Sequence, residues 1–191
     1  GIASAGPAAG SKLVMPGAKM DGASIYELIV SEGVTFSAAV PTVWQGLLAH
    51  LRENNLQIPT VKRVLIGGSA VPGSLIRAFH DEFGIEVVHA WGMTETSPIA
   101  SVCVMPPELA SLPFDDQMAW RVKQGTPPLG VELSLEDEGG ASRPHDGRTF
   151  GRLLVRGPTV SKGYFREEGG SVLDEKGFFD TGDVATIDEQ G

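Results

Sequence analysis

The sequence is poor in cysteine and contains no long hydrophobic run. Cys103 is the only cysteine in 191 residues, which excludes an internal disulfide and argues against a cysteine-based metal site. We interpret it as a small buried apolar residue. No stretch approaches the roughly 18 apolar residues of a membrane span, and the first residues lack the basic start of a signal peptide. We therefore expect a cytoplasmic protein without a membrane span.

Basic residues are also scarce relative to acidic ones. The chain has 15 Lys and Arg against 24 Asp and Glu, a formal net charge of −9. Binding to nucleic acid depends mainly on basic side chains, so we exclude a partner that needs a broad phosphate-binding surface. A single nucleotide is still compatible with this charge, because backbone N–H groups, a helix N-terminus and magnesium can hold its phosphates. No Gly-x-Gly-x-x-Gly motif follows a predicted strand, which excludes a dinucleotide oxidoreductase.

The first half of the chain alternates short apolar segments with amphipathic ones. Predicted strands start at intervals of about 25 residues, the spacing of right-handed βα crossovers in a parallel sheet. Between them, apolar residues recur at helical spacing. Asp21 and Gly33 are the expected N-cap and end of the first helix, and Pro41 is the expected first-turn residue of the second. The predicted strands are 12–15, 34–40, 61–66 and 85–88.

The second half changes to a β pattern. Val131, Leu133 and Leu135 alternate with polar residues, as in a strand with one face in a core. Short strands at 151–158 and 184–188 follow, separated by glycine-rich turns, and predict a small antiparallel barrel or sandwich. The segment 114–124 has no firm period. We therefore predict an α/β fold with a parallel subdomain at 1–104, a connector at 105–128 and an antiparallel β subdomain at 129–191.

The segment 89–98, with the sequence HAWGMTETSP, is the strongest candidate for a functional loop. It places a glycine, hydroxyls and a carboxylate directly after a predicted buried strand, and ligands of open α/β sheets bind at such strand ends. An ordinary alternative is that Trp91 belongs to the core and that Thr94 and Glu95 begin a helix.

Three further segments have a candidate role. Glycines in the segment 67–70, GGSA, would let the backbone approach a flat ligand closely, although a tight turn before a helix would need the same residues. The segment 151–158 followed by 163–165 is interpreted as structural. The segment 178–183, FFDTGD, ends in Asp183, whose carboxylate can accept several hydrogen bonds; the alternative is a turn aspartate.

Taken in this order, the four segments resemble the motifs of the adenylate-forming superfamily, which includes acyl- and aryl-CoA ligases, firefly luciferase and nonribosomal-peptide adenylation domains. The resemblance implies that Thr94 contacts the α-phosphate of ATP, that Glu95 holds magnesium and that Asp183 binds the ribose. It also implies that the glycine-rich segment and Trp91 cover the two faces of the adenine. The implied nucleotide-binding residues are Gly68, Ser69, Ala70, His89, Ala90, Trp91, Gly92, Met93, Thr94 and Asp183, with Thr94 and Glu95 as the catalytic pair.

Within that superfamily the segment around Trp91 looks most like that of medium- and long-chain fatty-acyl-CoA ligases. The implied reaction has two steps: a carboxylic acid and ATP give an acyl-adenylate and pyrophosphate, and coenzyme A then displaces AMP to form a thioester. The implied cofactors are therefore ATP, Mg²⁺ and coenzyme A. The implied acyl pocket consists of Gly67, Ser69, Trp91, Gly92, Met93 and Ile99.

Two parts of the family pattern are missing from the sequence. No Ser/Thr- and Gly-rich loop with a lysine precedes Gly1, and the chain ends before the hinge and catalytic lysine of the family's mobile C-terminal domain. We expect an internal fragment that needs the missing N- and C-terminal parts of the same chain and is inactive alone.

Two alternative functions stay open at the level of sequence. An adenylation domain that loads a carrier protein would usually show an acidic anchor for an amino-acid ammonium, and none lies at 35–40. A non-catalytic nucleotide-binding module would use the same residues only for packing.

Overall fold

The computed structural model describes residues 2–167 and 170–191, and the chain forms two compact units. The first unit comprises the chain up to Trp91 together with Cys103–Gln124, and the second comprises Gly92–Val102 and Gly125–Gly191. The predicted fold class is confirmed, since a parallel α/β unit and a separate antiparallel sheet are present. The boundaries of these units differ from those predicted at 104 and 128. Residues 92–102 belong to the antiparallel unit and not to the parallel subdomain, and residues 105–124 belong to the parallel unit and do not form a separate connector.

The first unit is built from βα repeats. Strands β1, β2 and β3 are parallel and lie side by side in that order, with Phe36 opposite Arg63 and Ile66 opposite His89. The elements are α1 (Ile2–Ala8), α2 (Gly22–Glu32), β1 (Phe36–Ala39), α3 (Pro41–Glu53), β2 (Arg63–Ile66), α4 (Gly73–Phe83), β3 (Glu86–Trp91), α5 (Pro107–Ala110) and α6 (Phe114–Arg121). No helix in the described part of the chain is long and apolar enough to cross a bilayer.

The helix ends follow from local sequence as predicted. The Asp21 carboxylate accepts a hydrogen bond from the Ser24 N–H at 2.9 Å, which caps the start of α2. Gly33 ends that helix with φ 61°, a left-handed conformation that glycine adopts without strain. Pro41 begins α3, where its missing N–H costs nothing.

One predicted strand is wrong. Residues 12–15 form no regular element, and Leu13 and Met15 are 38% and 69% exposed. A strand needs a neighbour to satisfy its backbone groups, and no strand pairing with this segment occurs among the described residues.

The core of the first unit lies between the sheet and helices α3 and α4. Trp44 and Phe79 are almost fully buried and meet edge to face, with ring centroids 5.8 Å apart, an arrangement that aromatic pairs prefer. Cys103 is also buried, as predicted, and burial raises the pKa of its thiol to about 11.

Helix α6 was not predicted, because only a single apolar pair on it, Phe114 and Met118, packs against the hydrophobic core. Phe114 stacks on the His80 ring at 3.6 Å, with the Arg121 guanidinium 5.0 Å from the Phe114 ring centre. The one residue of α6 that is fully buried is Gln117, whose Nε2 donates to the Leu112 carbonyl at 2.7 Å. One apolar pair beside a buried amide is too short a stripe to show a hydrophobic period in the sequence.

The second unit contains a three-stranded antiparallel sheet. The elements of the second unit are a 3₁₀ helix (Thr94–Thr96), β4 (Ser101–Val102), β5 (Glu132–Glu136), β6 (Gly151–Arg156), a second 3₁₀ turn (Phe165–Glu167) and β7 (Phe179–Ala185). The strands of the sheet lie in the order β5-β6-β7. Leu135 of β5 pairs with Leu153 of β6, and both side chains are buried. The last strand was predicted at 184–188, but it begins at Phe179, so the segment ending in Asp183 lies inside it.

Candidate functional site

The predicted site residues fall into two groups, one in each unit. The first unit holds the loop 67–70 and the end of β3, which includes His89, Ala90 and Trp91. The second unit holds the turn 92–99 and Asp183. His89 to Trp91 were expected in a loop, but they continue β3, because the pairing with β2 extends to the buried His89.

In the first unit the glycine-rich loop leaves the sheet beside the end of β3. A Cβ atom placed on Gly67 would lie 2.8 Å from the Ala90 carbonyl oxygen, so only glycine fits this close approach. Gly68 has φ 83°, and the segment from Gly68 to Ala70 is exposed. The structure thus brings the loop and Ala90 together and exposes the segment from Gly68 to Ala70; its contact with the adenine stays a prediction.

His89 lies beneath this loop. Its ring is 1% exposed, and its Nδ1 is 3.2 Å from the Val122 carbonyl oxygen. Burial lowers the pKa of His89, while hydrogen bonds to the backbone of Val122, Lys123 and Ser69 oppose that shift. His89 is therefore buried against main-chain groups of its own unit, and its predicted contact with the nucleotide stays a prediction.

The lowered pKa of His89 predicts a pH-dependent stability. The unfolded chain takes up a proton near the ordinary His value of 6.5, whereas the folded chain resists protonation. Below that pH the unfolded state binds more protons, so we expect the free energy of unfolding to decrease as pH falls from about 7.5 to about 5. His89→Gln does not titrate and should show a flatter profile in urea denaturation. His145→Gln, at an exposed histidine, is the control, and equal slopes for His89→Gln and the parent chain would contradict the prediction.

In the second unit the turn 92–99 is closed by Thr96. Its hydroxyl accepts a hydrogen bond from the Met93 N–H at 3.0 Å and donates to the Pro98 carbonyl at 2.8 Å. Thr96 is 1% exposed, whereas Thr94 is exposed and Glu95 is half-buried. A Cβ on Gly92 would lie 1.8 Å from the Pro98 carbonyl oxygen. The turn therefore folds back on Gly92, with the Thr94 side chain exposed and that of Glu95 half-buried.

Glu95 has a partner that the sequence did not reveal. The Tyr164 hydroxyl donates to Glu95 Oε1 at 2.9 Å, and the Ser161 N–H donates to the Glu95 carbonyl at 2.7 Å. The hydrogen bond to Glu95 raises the pKa of Tyr164. Tyr164 was interpreted as structural, and its 69-residue separation from Glu95 is outside any local period. The only available signal was its place within the recognised segment 163–165.

Asp183 lies at a bulge in β7. Leu154 faces Asp180 and Arg152 faces Val184, so three residues of β7 oppose the single Leu153 of β6. The Thr181 hydroxyl donates to the Leu153 carbonyl at 2.8 Å, and Gly182 has φ 74°. A bulge re-aims the side chains that follow it, and Asp183 is exposed, which suits a residue that contacts a ligand.

Glu95 is the residue predicted to hold a metal ion. Among the described residues, no group of three or more His, Cys, Asp or Glu side chains could hold a metal ion. Magnesium, however, is usually held by one or two carboxylates together with phosphate oxygens and waters. The half-buried Glu95 fits a Mg²⁺ ion that arrives with a nucleotide.

The first unit also contains an apolar cavity of about 810 Å³. It is lined by the segment 11–16, α2 and β1, with Trp44 at one side. None of the six residues predicted for an acyl pocket lines it, so the structure does not place that pocket at this cavity.

The chain is similar over nearly its whole length to CoA ligases. It is 48% identical to a medium-chain-fatty-acid–CoA ligase of Ectopseudomonas oleovorans and 42% identical to a 3-methylmercaptopropionyl-CoA ligase of Ruegeria lacuscaerulensis, over 95% of this chain in both cases. O-succinylbenzoate CoA synthetase from Bacillus subtilis, solved in complex with ATP and magnesium ion, matches with a TM-score of 0.70 and 27% identity over 90% of this chain and 33% of that chain. The chain spans 33% and 34% of the two curated relatives, about a third of their length.

A family model covers most of the site described above. The model of AMP-binding enzymes matches residues 5–165. This range includes the loop after β2, the turn 92–99 and Tyr164, and it ends before Asp183. Because the match extends over far more than half of the sequence, the chain belongs to the AMP-binding enzyme family.

Proposed function

We propose that this chain is part of an ATP-dependent acyl-CoA ligase that acts on a medium- or long-chain fatty acid. The geometric observation that carries the proposal is the turn 92–99, which buries the Thr96 hydroxyl in its own hydrogen bonds and leaves Thr94 and Glu95 accessible. The 48% identity to a medium-chain-fatty-acid–CoA ligase supports the substrate class. Because the chain spans a third of that relative, the activity is proposed for a longer polypeptide that contains it.

The proposed first step is the attack of a carboxylate oxygen on the α-phosphorus of ATP. A bond forms between that oxygen and phosphorus, the bond to the β-phosphate oxygen breaks, and pyrophosphate leaves. The Thr94 hydroxyl would donate to an α-phosphate oxygen, and Glu95 would hold Mg²⁺, which neutralises phosphate charge. Phosphoryl and nucleotidyl transfer need mainly such positioning and charge stabilisation. In the second step the sulfur of coenzyme A attacks the acyl carbon, and AMP leaves.

The remaining residues would orient the nucleotide. The exposed backbone at 68–70 would lie against one face of the adenine and Trp91 against the other, with His89 holding Ser69 from below. Asp183 would accept hydrogen bonds from the two ribose hydroxyls, which suits an ionised carboxylate with several lone pairs. Ala90, Gly92 and Met93 would supply backbone close to the same ligand.

The identity of the acid requires a direct assay, because one methylene changes selectivity by only about 1–3 kcal/mol. Gly67, Ser69, Trp91, Gly92, Met93 and Ile99 stay the proposed acyl contacts.

Pyrophosphate release tests the proposal. A polypeptide of the relatives' full length that contains this chain is incubated with ATP, Mg²⁺ and a panel of aliphatic, sulfur-containing, aromatic and amino acids, with and without coenzyme A. We expect release with fatty acids, and an acyl-CoA product when coenzyme A is present. Release without any thioester to coenzyme A would favour the carrier-protein alternative. No release with any acid would favour a non-catalytic module, and either result would refute the ligase.

A further inference from the structure

We propose that Tyr164 is a positioning residue that orients the Glu95 carboxylate toward the magnesium ion bound with ATP. The inference rests on the proposed function, because it assumes that Glu95 meets a Mg²⁺–nucleotide complex. Tyr164 touches neither substrate nor metal in this proposal and acts only through Glu95.

The geometry links the two residues at two points. The Tyr164 hydroxyl donates to Glu95 Oε1 at 2.9 Å. Three residues before Tyr164, the Ser161 N–H donates to the Glu95 main-chain carbonyl at 2.7 Å. The main chain and the side chain of Glu95 are therefore both held by one short segment.

The segment that carries Tyr164 has its own internal support. The Ser161 hydroxyl donates to the Gly163 carbonyl at 2.8 Å, and the Val160 N–H donates to the Gly157 carbonyl at 3.1 Å. These bonds shape the turn before Tyr164 without using the tyrosine ring. The position of the hydroxyl is thus set by the backbone that also binds Glu95.

The chemistry of the pair suits positioning. A glutamate side chain loses rotamer freedom when it is held in one orientation, and this loss opposes ligand binding. A neighbouring donor that selects this orientation before the ligand arrives makes binding more favourable. The bond occupies one carboxylate oxygen, and an ionised carboxylate has further lone pairs with which it can bind a cation.

A purely structural role would show as a change in stability. Tyr164 is 51% exposed, so its hydroxyl replaces water as a partner of Glu95 and contributes little to folding. Tyr164→Phe removes that hydroxyl and keeps the ring. We expect the thermal midpoint of the variant to equal that of the parent protein.

Calorimetric binding of ATP provides a readout that does not depend on turnover. With Mg²⁺ present, Tyr164→Phe should raise the Kd of ATP about 3- to 10-fold, because Glu95 is no longer held in its binding orientation before the ligand arrives. With EDTA in place of Mg²⁺, parent and variant should bind alike. In turnover, kcat should fall while the KM for the acid stays unchanged. Tyr26→Phe, which removes the same hydroxyl from the only other tyrosine, is the control and should match the parent protein.

A double-mutant comparison separates this inference from the proposed function. If Tyr164 acts only through Glu95, Glu95→Gln combined with Tyr164→Phe should bind Mg²⁺–ATP no more weakly than Glu95→Gln alone. Three results would overturn the positioning role. They are additive losses of ATP affinity in the double mutant, an equal loss of ATP affinity by Tyr164→Phe in EDTA, and a lowered thermal midpoint of Tyr164→Phe. Parent-like binding by Tyr164→Phe, with weakened binding by Glu95→Gln, would overturn the positioning role alone. Parent-like binding and turnover by Glu95→Gln would overturn the role of Glu95 as well.

Discussion

Glu95→Ala is expected to reduce acyl-adenylate formation about 100- to 1,000-fold, the loss that follows removal of one preorganised group that stabilises charge in a transition state. Glu95 lies in the first turn of the 3₁₀ helix 94–96 and is half-buried. Alanine keeps the backbone bond from the Ser161 N–H but removes the carboxylate proposed to hold Mg²⁺. The measurement is acid-dependent exchange of labelled pyrophosphate into ATP, in a polypeptide of the relatives' full length.

The same substitution should leave the fold intact. The interaction that Glu95 loses is a hydrogen bond from the half-exposed Tyr164 hydroxyl, and water can replace it. Glu108→Ala is a matched control, because Glu108 also lies in the first turn of a short helix and is exposed. An active Glu95→Ala enzyme, or a Glu108→Ala enzyme that is equally impaired, would refute the assigned role of Glu95.

Local features of the fold were predictable because their causes are adjacent in sequence. The start of α2 depends on Asp21 and a backbone N–H three residues later, and its end depends on the conformational freedom of Gly33. The parallel order of β1, β2 and β3 follows from repeated strand and helix lengths. These are short-range signals, and the structure confirms them.

The errors arose where a distant residue decides the structure. His89 is polar, so the apolar run seemed to end at Val88, but the backbone of Val122, 33 residues away, satisfies the buried ring and β3 continues. Residues 12–15 are apolar enough for a strand, but they pair with no strand in the described ranges 2–167 and 170–191. Apolar content alone does not supply a hydrogen-bonding neighbour.

In the candidate site, too, features encoded by neighbouring residues were predicted, and a contact with a distant residue was missed. Recognised segments located Thr94, Glu95 and Asp183, and the structure places the first two on an accessible turn and the third at a bulge. The partner of Glu95 was missed, because only the folded chain brings Tyr164 to within hydrogen-bond distance of a residue 69 positions earlier. Motif order thus located residues on the turn and at the bulge, but it gave no sign of the residue that holds Glu95 in place.

Gly92→Ala is expected to be the most disruptive single-methyl change in the site. The added Cβ would lie 1.8 Å from the Pro98 carbonyl oxygen, 2.8 Å from the Pro98 carbonyl carbon and 2.9 Å from the Ile99 Cα. All three atoms are backbone, so no side-chain rotation can relieve the clash. The turn must open by more than an ångström, and the Thr96 bonds to Met93 and Pro98 must then lengthen or break.

We expect the free energy of unfolding of Gly92→Ala to fall by about 3 kcal/mol or more, at the upper end of the cost of overpacking. Urea denaturation measures that change, and adenylate formation should be lost even where the variant is folded, because Thr94 and Glu95 move with the turn. Gly46→Ala is the matched control, since nothing lies within 4 Å of the added Cβ and alanine favours the helix interior of α3 by about 0.5–1 kcal/mol. If Gly92→Ala were as stable as Gly46→Ala, the close approach of Gly92 to Pro98 would not exist in solution, and the turn that presents Thr94 and Glu95 would have a different shape.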